Sequence, residues 1–300
     1  MEIVSAGAGQ VVSPGARVMH LLDVLAYPPI LLGGIILLIA GCIFPLPGIF
    51  ILRLNLVPVR FVMMHGALLG GAIALALGIN PLGTTLGVNL AIIGIIALWE
   101  GGLRADGSSF PFRGTQITTF LMIVTIALAF LIIYKANVPA KDTLTLLWGS
   151  LYALDGIDLV LFAGIAGMDL LYMLGWHRQI VALLYHQEIA RTAGVRTDIH
   201  YPVVVILSGL TVSLAMRFLG ALLVDAIVLL PAFIGISLGS SVRKSFFVAT
   251  LAGFVSACIG YLLSILIDIP VSSSVTLGGV GLFLCARIYL RLRTGGQPRK

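Results

Sequence analysis

The stretch PVVVILSGLTVSLAMRFLGALLVDAIVLLPAFIGISL, residues 202–238, decides the fold. A helix that crosses a bilayer needs about 20 predominantly apolar residues, so this run is long enough for two crossings. Its only ionisable side chains are Arg217 and Asp225, and it breaks around Arg217 and Gly220, where the first crossing gives way to the second. Lipid offers the backbone no hydrogen-bond partner, which leaves helices and closed barrels as the only spanning structures. The run has none of the in–out alternation of a barrel strand, so both crossings are helices.

The same signal recurs on either side, at 30–51, 61–79, 86–103, 115–134, 157–176, 246–267 and 275–290. With the opening pair this gives about nine spanning helices. The composition agrees, because 59% of the chain is hydrophobic and 10% is charged, against roughly 25% charged residues in soluble domains. The predicted class is therefore all-α, one polytopic transmembrane helical bundle over 30–290 with no soluble domain. Residues 1–29 form an N-terminal segment in which 16–27 shows apolar residues at helical spacing among Arg17, His20 and Asp23, the pattern of an interfacial helix. Residues 1–10 lack the basic and apolar regions of a signal peptide. Segment 146–154 is too short to span and reads as an interfacial or re-entrant turn. Residues 291–300 form a basic tail.

The net charge of +6 is dispersed over short loops, which excludes a nucleic-acid-binding patch and instead sets topology. Arg53 and Arg60 flank one loop, Arg104 and Arg113 a second, and Arg178, Arg191 and Arg196 a third. Arg243 with Lys244 and the tail complete the set. All five belong in the cytoplasm under the positive-inside rule, so the N terminus is expected outside and the C terminus inside. Cys42, Cys258 and Cys285 are scattered in apolar runs and read as packing residues.

An Asp, Lys or Arg at the centre of a spanning helix costs about 2.5–3.5 kcal/mol on insertion scales, so each such residue requires a reason. His65 is flanked by Gly66, Gly70 and Gly71, a surface on which a helix can approach or a small solute can pass. Its imidazole suits either an interhelical hydrogen bond or a zinc or manganese site. Asp225 precedes Pro231, which removes a backbone hydrogen bond and can open the helix, so the carboxylate is a candidate cation site. The alternative is a structural ion pair with Arg217, about two turns earlier. Asp155 and Asp158 share a helix face and read as hydrated carboxylates or as a cation funnel at the outer entrance. Glu100 and Asp169 are expected as solvated boundary residues, and His20, His177, His186 and His200 as surface residues. No phosphate-binding loop, HExxH pair or nucleophile triad is present, so the chain is not expected to hydrolyse ATP itself.

Four motifs carry a resemblance. HQEIARTAGV, from His186, resembles the cytoplasmic coupling segment of the zinc and manganese type of ABC permease, matching at Glu188, Ala190, Ala193 and Gly194. RFLGALLVDAIVLLPAF, from Arg217 through Pro231 and Ala232, is similar to that family's arginine, glycine, paired-aliphatic and proline-alanine signature. IDIPVSSSVTL, from Ile267, resembles its acidic-x-proline turn before the last span. GIFILRLNL, from Gly48, followed by His65, Ala67, Leu68 and Gly70, resembles its N-terminal region.

The resemblance covers most of 48–290 and implies a type II-like importer permease in a bacterial inner membrane. Its implied partners are a second permease, identical or paralogous, cytoplasmic ATPase subunits that bind the ATP, and an extracytoplasmic metal-binding protein. The solute it implies is a divalent ion, zinc or manganese, and the segment 177–200, with Glu188, Ala190, Ala193 and Gly194, would dock on the ATPase. Two positions depart from the family. Phe61 stands where an aspartate is usual four residues before the histidine, and Asp225 stands where a small or hydroxyl residue is usual. The expectation is that the carboxylate has moved to Asp225, so that His65 and Asp225 handle the metal. A chelated metal or another solute is the alternative within the family, and an ATP-independent secondary transporter or channel is the alternative outside it.

Overall fold

The computed structural model describes residues 27–105, 112–139, 141, 149, 151 and 156–294. The expected interfacial helix at 16–27, the turn at 146–154, Asp155 and the tail beyond 294 lie wholly or mostly outside the described residues. Among those described, every regular element is helical: α1 (Pro28–Ile43), α2 (Pro45–Arg53), α3 (Val57–Leu77), α4 (Pro81–Ala105), α5 (Phe112–Lys135) and α6 (Gly156–Gly175). There follow α7 (His177–Tyr185), α8 (Gln187–Thr192), α9 (Thr197–Leu219), α10 (Ala221–Leu238), α11 (Val242–Ile267) and α12 (Val271–Thr294).

Among the described residues, eight helices are long and apolar enough to cross a membrane, with α1 and α2 counted as one span, Pro28–Arg53, interrupted at Phe44. The interruption falls where Pro45 and Pro47 supply no backbone N–H. α4, apolar over Pro81–Ile96, occupies the place of the expected third segment. The nine expected segments are thus each met by a helix.

Of three apolar clusters among the described residues, the two larger hold most of the bundle. In the larger one, Ile36, Leu37 and Ala40 of α1 meet Val212, Leu214 and Ala215 of α9 and Val224, Ile227 and Val228 of α10. The rings of Phe44, Phe162 and Phe218 run through it at centroid distances of 4.9 and 6.0 Å. The smaller cluster joins Leu46, Ile49 and Phe50 of α2 to Val242 and Phe246 of α11 and to Ile180, Leu183 and Leu184 of α7. Those three α7 residues recur at i, i+3 and i+4, so one face of this short helix is anchored in the bundle and the other faces out. Close helix approach depends on small residues: a Cβ on Gly48 would lie 2.0 Å from the carbonyl oxygen of Val228, and one on Gly253 would lie 2.2 Å from that of Gly41.

The break within 202–238 is a single residue. Gly220 joins α9 to α10 at φ 80°, ψ 163°, a region essentially confined to glycine. Gly149, itself at φ 75°, lies against it so closely that a Cβ there would be 2.4 Å from the Gly220 nitrogen. Gly220→Ala is therefore expected to destabilise the protein by about 1–3 kcal/mol. Gly87→Ala, at an open site with nothing within 4 Å, is expected to be neutral or mildly stabilising. Thermal unfolding of both variants in detergent checks the contrast, and equal midpoints would refute it.

Candidate functional site

Arg60 is not a loop residue. It sits in the first turn of α3 at 3% exposure, and its Nη1 pairs with Oδ1 of Asp225 on α10. The guanidinium also lies 4.3 Å from the Phe61 ring centroid, and Nη1 reaches Met64 Sδ, one turn on, at 3.5 Å. A buried cation persists only with such a partner, because removing it from water costs several kcal/mol. The alternative ion pair expected for Asp225, with Arg217, is therefore corrected: the partner is Arg60. Arg217, at the far end of α9, is instead close enough to Asp158 of α6 to feel its charge. Sequence spacing along one run favoured the neighbour in the chain, and tertiary packing supplied a nearer one.

His65 is half-buried on α3, and its Nδ1 lies 2.7 Å from the carbonyl oxygen of Phe61. A carbonyl only accepts, so in the neutral ring Nδ1 carries the proton and Nε2 keeps the lone pair a metal would need. The neighbouring glycines serve helix approach: a Cβ on Gly66 would lie 2.1 Å from Asn89 Oδ1, and one on Gly70 would lie 2.5 Å from the Thr85 Cα, both on α4. Arg60 and His65 are five residues apart, about 140° around the helix, so the ion pair and the imidazole occupy different faces of α3. Phe61, 37% exposed, shares the His65 face. Among the described residues no three His, Cys, Asp or Glu side chains converge. Pro231 is buried within a helix that stays continuous across it.

Two polar contacts inside the bundle were not anticipated. Asn89, fully buried on α4, donates from Nδ2 to the Met63 carbonyl at 3.1 Å and to Ser213 Oγ at 2.6 Å, tying α4 to α3 and α9. Asp169 is 2% exposed, so its expected place at a solvated boundary is corrected; Thr211 Oγ1 donates to its Oδ2 at 2.6 Å across the α6–α9 contact. Helical spacing puts Asp169 on the face that meets α9, and the lone asparagine in LGVNLAIIG was the available signal for the other. His200 is likewise buried, at 8% exposure, and shares a 2.8 Å hydrogen bond with the Tyr172 hydroxyl.

The segment between α6 and α9 has the form of a presented knob. α8 ends in a Schellman motif: Val195 N donates to Ala190 O at 3.0 Å and Gly194 N donates to Arg191 O at 3.1 Å, with Gly194 left-handed at φ 83°. Ala190, grouped at the sequence level with the coupling residues, faces inward at 2% exposure. Glu188, Ala193 and Gly194 are exposed. So are two large apolar side chains that sequence spacing did not single out, Tyr185 at 75% and Ile189 at 65%, on either side of the extended His186 that separates α7 from α8.

A family model, the ABC 3 transport family, matches residues 29–290. The chain belongs to the ABC 3 transport family. It is accordingly a multi-pass membrane permease of the ABC type. It is 23% identical over 233 residues to the high-affinity zinc uptake system membrane protein ZnuB of Buchnera aphidicola subsp. Baizongia pistaciae, covering 76% of this chain and 85% of that one. It is 24% identical over 253 residues to the manganese transport system membrane protein MntC of Halalkalibacterium halodurans, covering 84% of each. The fold matches a chain of PsaBC from Streptococcus pneumoniae, solved in complex with Fab, with a TM-score of 0.75 at 19% identity, over 92% of this chain and 99% of that chain.

Proposed function

We propose that this permease carries a divalent metal ion, zinc or manganese, into the cell as the membrane subunit of an ATP-driven importer. The family match over 29–290 carries the proposal, and the zinc and manganese systems named among the relatives supply the solute. A second permease subunit encloses the path, an extracytoplasmic protein delivers the ion, and cytoplasmic ATPase subunits dock on the knob formed by Glu188, Ile189, Ala193 and Gly194. This orientation puts the N terminus outside and the C terminus inside, as the arginine-bearing segment 177–200 favours.

His65 Nε2 is the proposed metal contact in the path. Asp225 joins it only in a state in which the pair with Arg60 has opened, because a carboxylate held by a guanidinium has little charge to offer a cation. Few ligands suit a transient site, since an ion bound by a full set would not be released. The funnel role of Asp158 belongs to the same proposal, with Asp158 near the start of α6 close enough to Arg217 near the end of α9 to feel its charge.

The test is uptake of zinc-65 and manganese-54 into liposomes containing the permease with and without its ATPase. His65→Gln is expected to reduce ATP-dependent uptake to background while the complex still assembles. Undiminished uptake by that variant would remove His65 from the path, and uptake by the permease alone would replace the importer with a secondary transporter.

A further inference from the structure

α6 is held to the bundle along a narrow seam. Of its spanning stretch 22% is buried, against 72% of α9, and its buried residues, Phe162, Ala166 and Asp169, recur at i, i+4 and i+7 along one stripe. Both α1 and α9 pack on α6, and they hold it by different chemistry. Toward α1 the contact is apolar: the Phe162 ring lies 4.9 Å from that of Phe44, and Leu159 and Ile165 pack against the same cluster. Toward α9 it is polar at three levels. Thr211 Oγ1 donates to Asp169 Oδ2 at 2.6 Å, Tyr172 and His200 share a hydrogen bond of 2.8 Å nearer one end, and Asp158 lies within reach of the charge of Arg217 nearer the other. The partners on α9 fall in number as those on α6 rise, which is the register of an antiparallel helix pair.

The two contacts differ in what it costs to part them. Lipid chains are as apolar as a leucine side chain, so an apolar seam inside a membrane separates with little penalty once lipid takes the partner's place. A hydrogen bond there has no such substitute, because hydrocarbon solvates neither group. Asp169 is 2% exposed and Thr211 fully buried, and parting them would strip the carboxylate of the one donor the described residues offer it. α6 and α9 are also the two stems of the docking knob, the first leading into α7 and the second following α8. Whatever displaces the knob acts on both together.

We propose that α6 and α9 move as one body during the transport cycle, joined through Asp169 with Thr211 and Tyr172 with His200, and that the seam which opens lies between α6 and α1. Asp169 is a positioning residue that acts through Thr211 and touches no transported ion. Such paired motion rests on the reading of the knob as the ATPase dock and is independent of which solute is carried.

Distances between spin labels, measured by double electron–electron resonance, test this on the permease–ATPase complex in nanodiscs, with Cys42, Cys258 and Cys285 replaced by alanine. The labels go on exposed positions: Leu174 with Ile199 reports on α6 and α9, and Leu174 with Arg53 reports on α6 and the span formed by α1 and α2. Between the nucleotide-free and the vanadate-trapped complex, the first distance is expected to stay within about 2 Å and the second to change by about 5 Å or more. A first distance that changes as much as the second would overturn the proposal, and so would a second distance that does not change. Co-purification of the ATPase is checked beforehand, so a failure to dock is read separately from a failure of the pair to hold. The distances need no transported ion.

Thr211→Val is expected to lower the ions carried per ATP hydrolysed about tenfold, because a loosened pair lets the motor turn without moving the path. Thr211→Ser and Asp169→Asn keep a donor and an acceptor in place and are expected to stay near wild type. Wild-type stoichiometry in Thr211→Val would overturn the proposal. Loss of uptake by a folded Asp169→Asn protein would do so too, since the charge of Asp169 and not its hydrogen bond would then be the working feature. If Thr211→Val does not fold, the label distances decide.

Discussion

Asp225→Asn is expected to destabilise the permease by about 3 kcal/mol, the lower end of the range for breaking a buried ion pair. The size follows from which partner is stranded. Arg60 is 2% exposed at the side chain, whereas Asp225 is 42% exposed, so loss of the carboxylate leaves an uncompensated cation in the interior. Arg60→Met removes that cation and leaves a carboxylate on the open side of the contact, with an expected cost of about 1–2 kcal/mol. The double variant Arg60→Met with Asp225→Leu is expected to recover most of the loss, because well-packed apolar residues replace buried pairs at little cost. Unfolding of the three variants in detergent gives the cycle. If Asp225→Asn costs no more than Arg60→Met, the pair is not the asymmetric contact described above.

Ile189→Asp is expected to weaken association with the ATPase at least thirtyfold while leaving the fold of the permease unchanged. Ile189 makes no contribution to the core, and its exposed apolar side chain has the character of an interface anchor, whose loss commonly costs 2 kcal/mol or more. Ala190→Asp provides the contrast: that position is buried, so the charge should unfold the knob itself. Co-purification of the ATPase together with the melting transition of the permease separates the two cases. Retention of the ATPase by a folded Ile189→Asp protein would show that another surface receives it.

Hydrophobic run length was sufficient to read the bundle. Each expected span coincides with a helix, and the break near Arg217 and Gly220 was legible because a polar side chain and a glycine interrupt an otherwise apolar stretch. Gly194 as the end of α8 was legible for the same local reason. What escaped were the pairings. The arginine at position 60 lies next to a loop in the chain, and nothing in its own surroundings announces a carboxylate on α10, more than 160 residues later. Asp169, His200 and Ala190 were assigned to solvent or to an interface by position along the chain, yet helix rotation turned each of them inward. Exposure of Tyr185 and Ile189 became visible only after α7 had committed Ile180, Leu183 and Leu184 to the bundle.

The one-residue elbow at Gly220 leaves no slack. A flexible connector would soak up movement, but here α9 begins two residues beyond the turn that closes α8 and ends directly at the helix that carries Asp225. A tug on the cytoplasmic knob must therefore be handed on, like force through a rigid crank, to the carboxylate that holds Arg60.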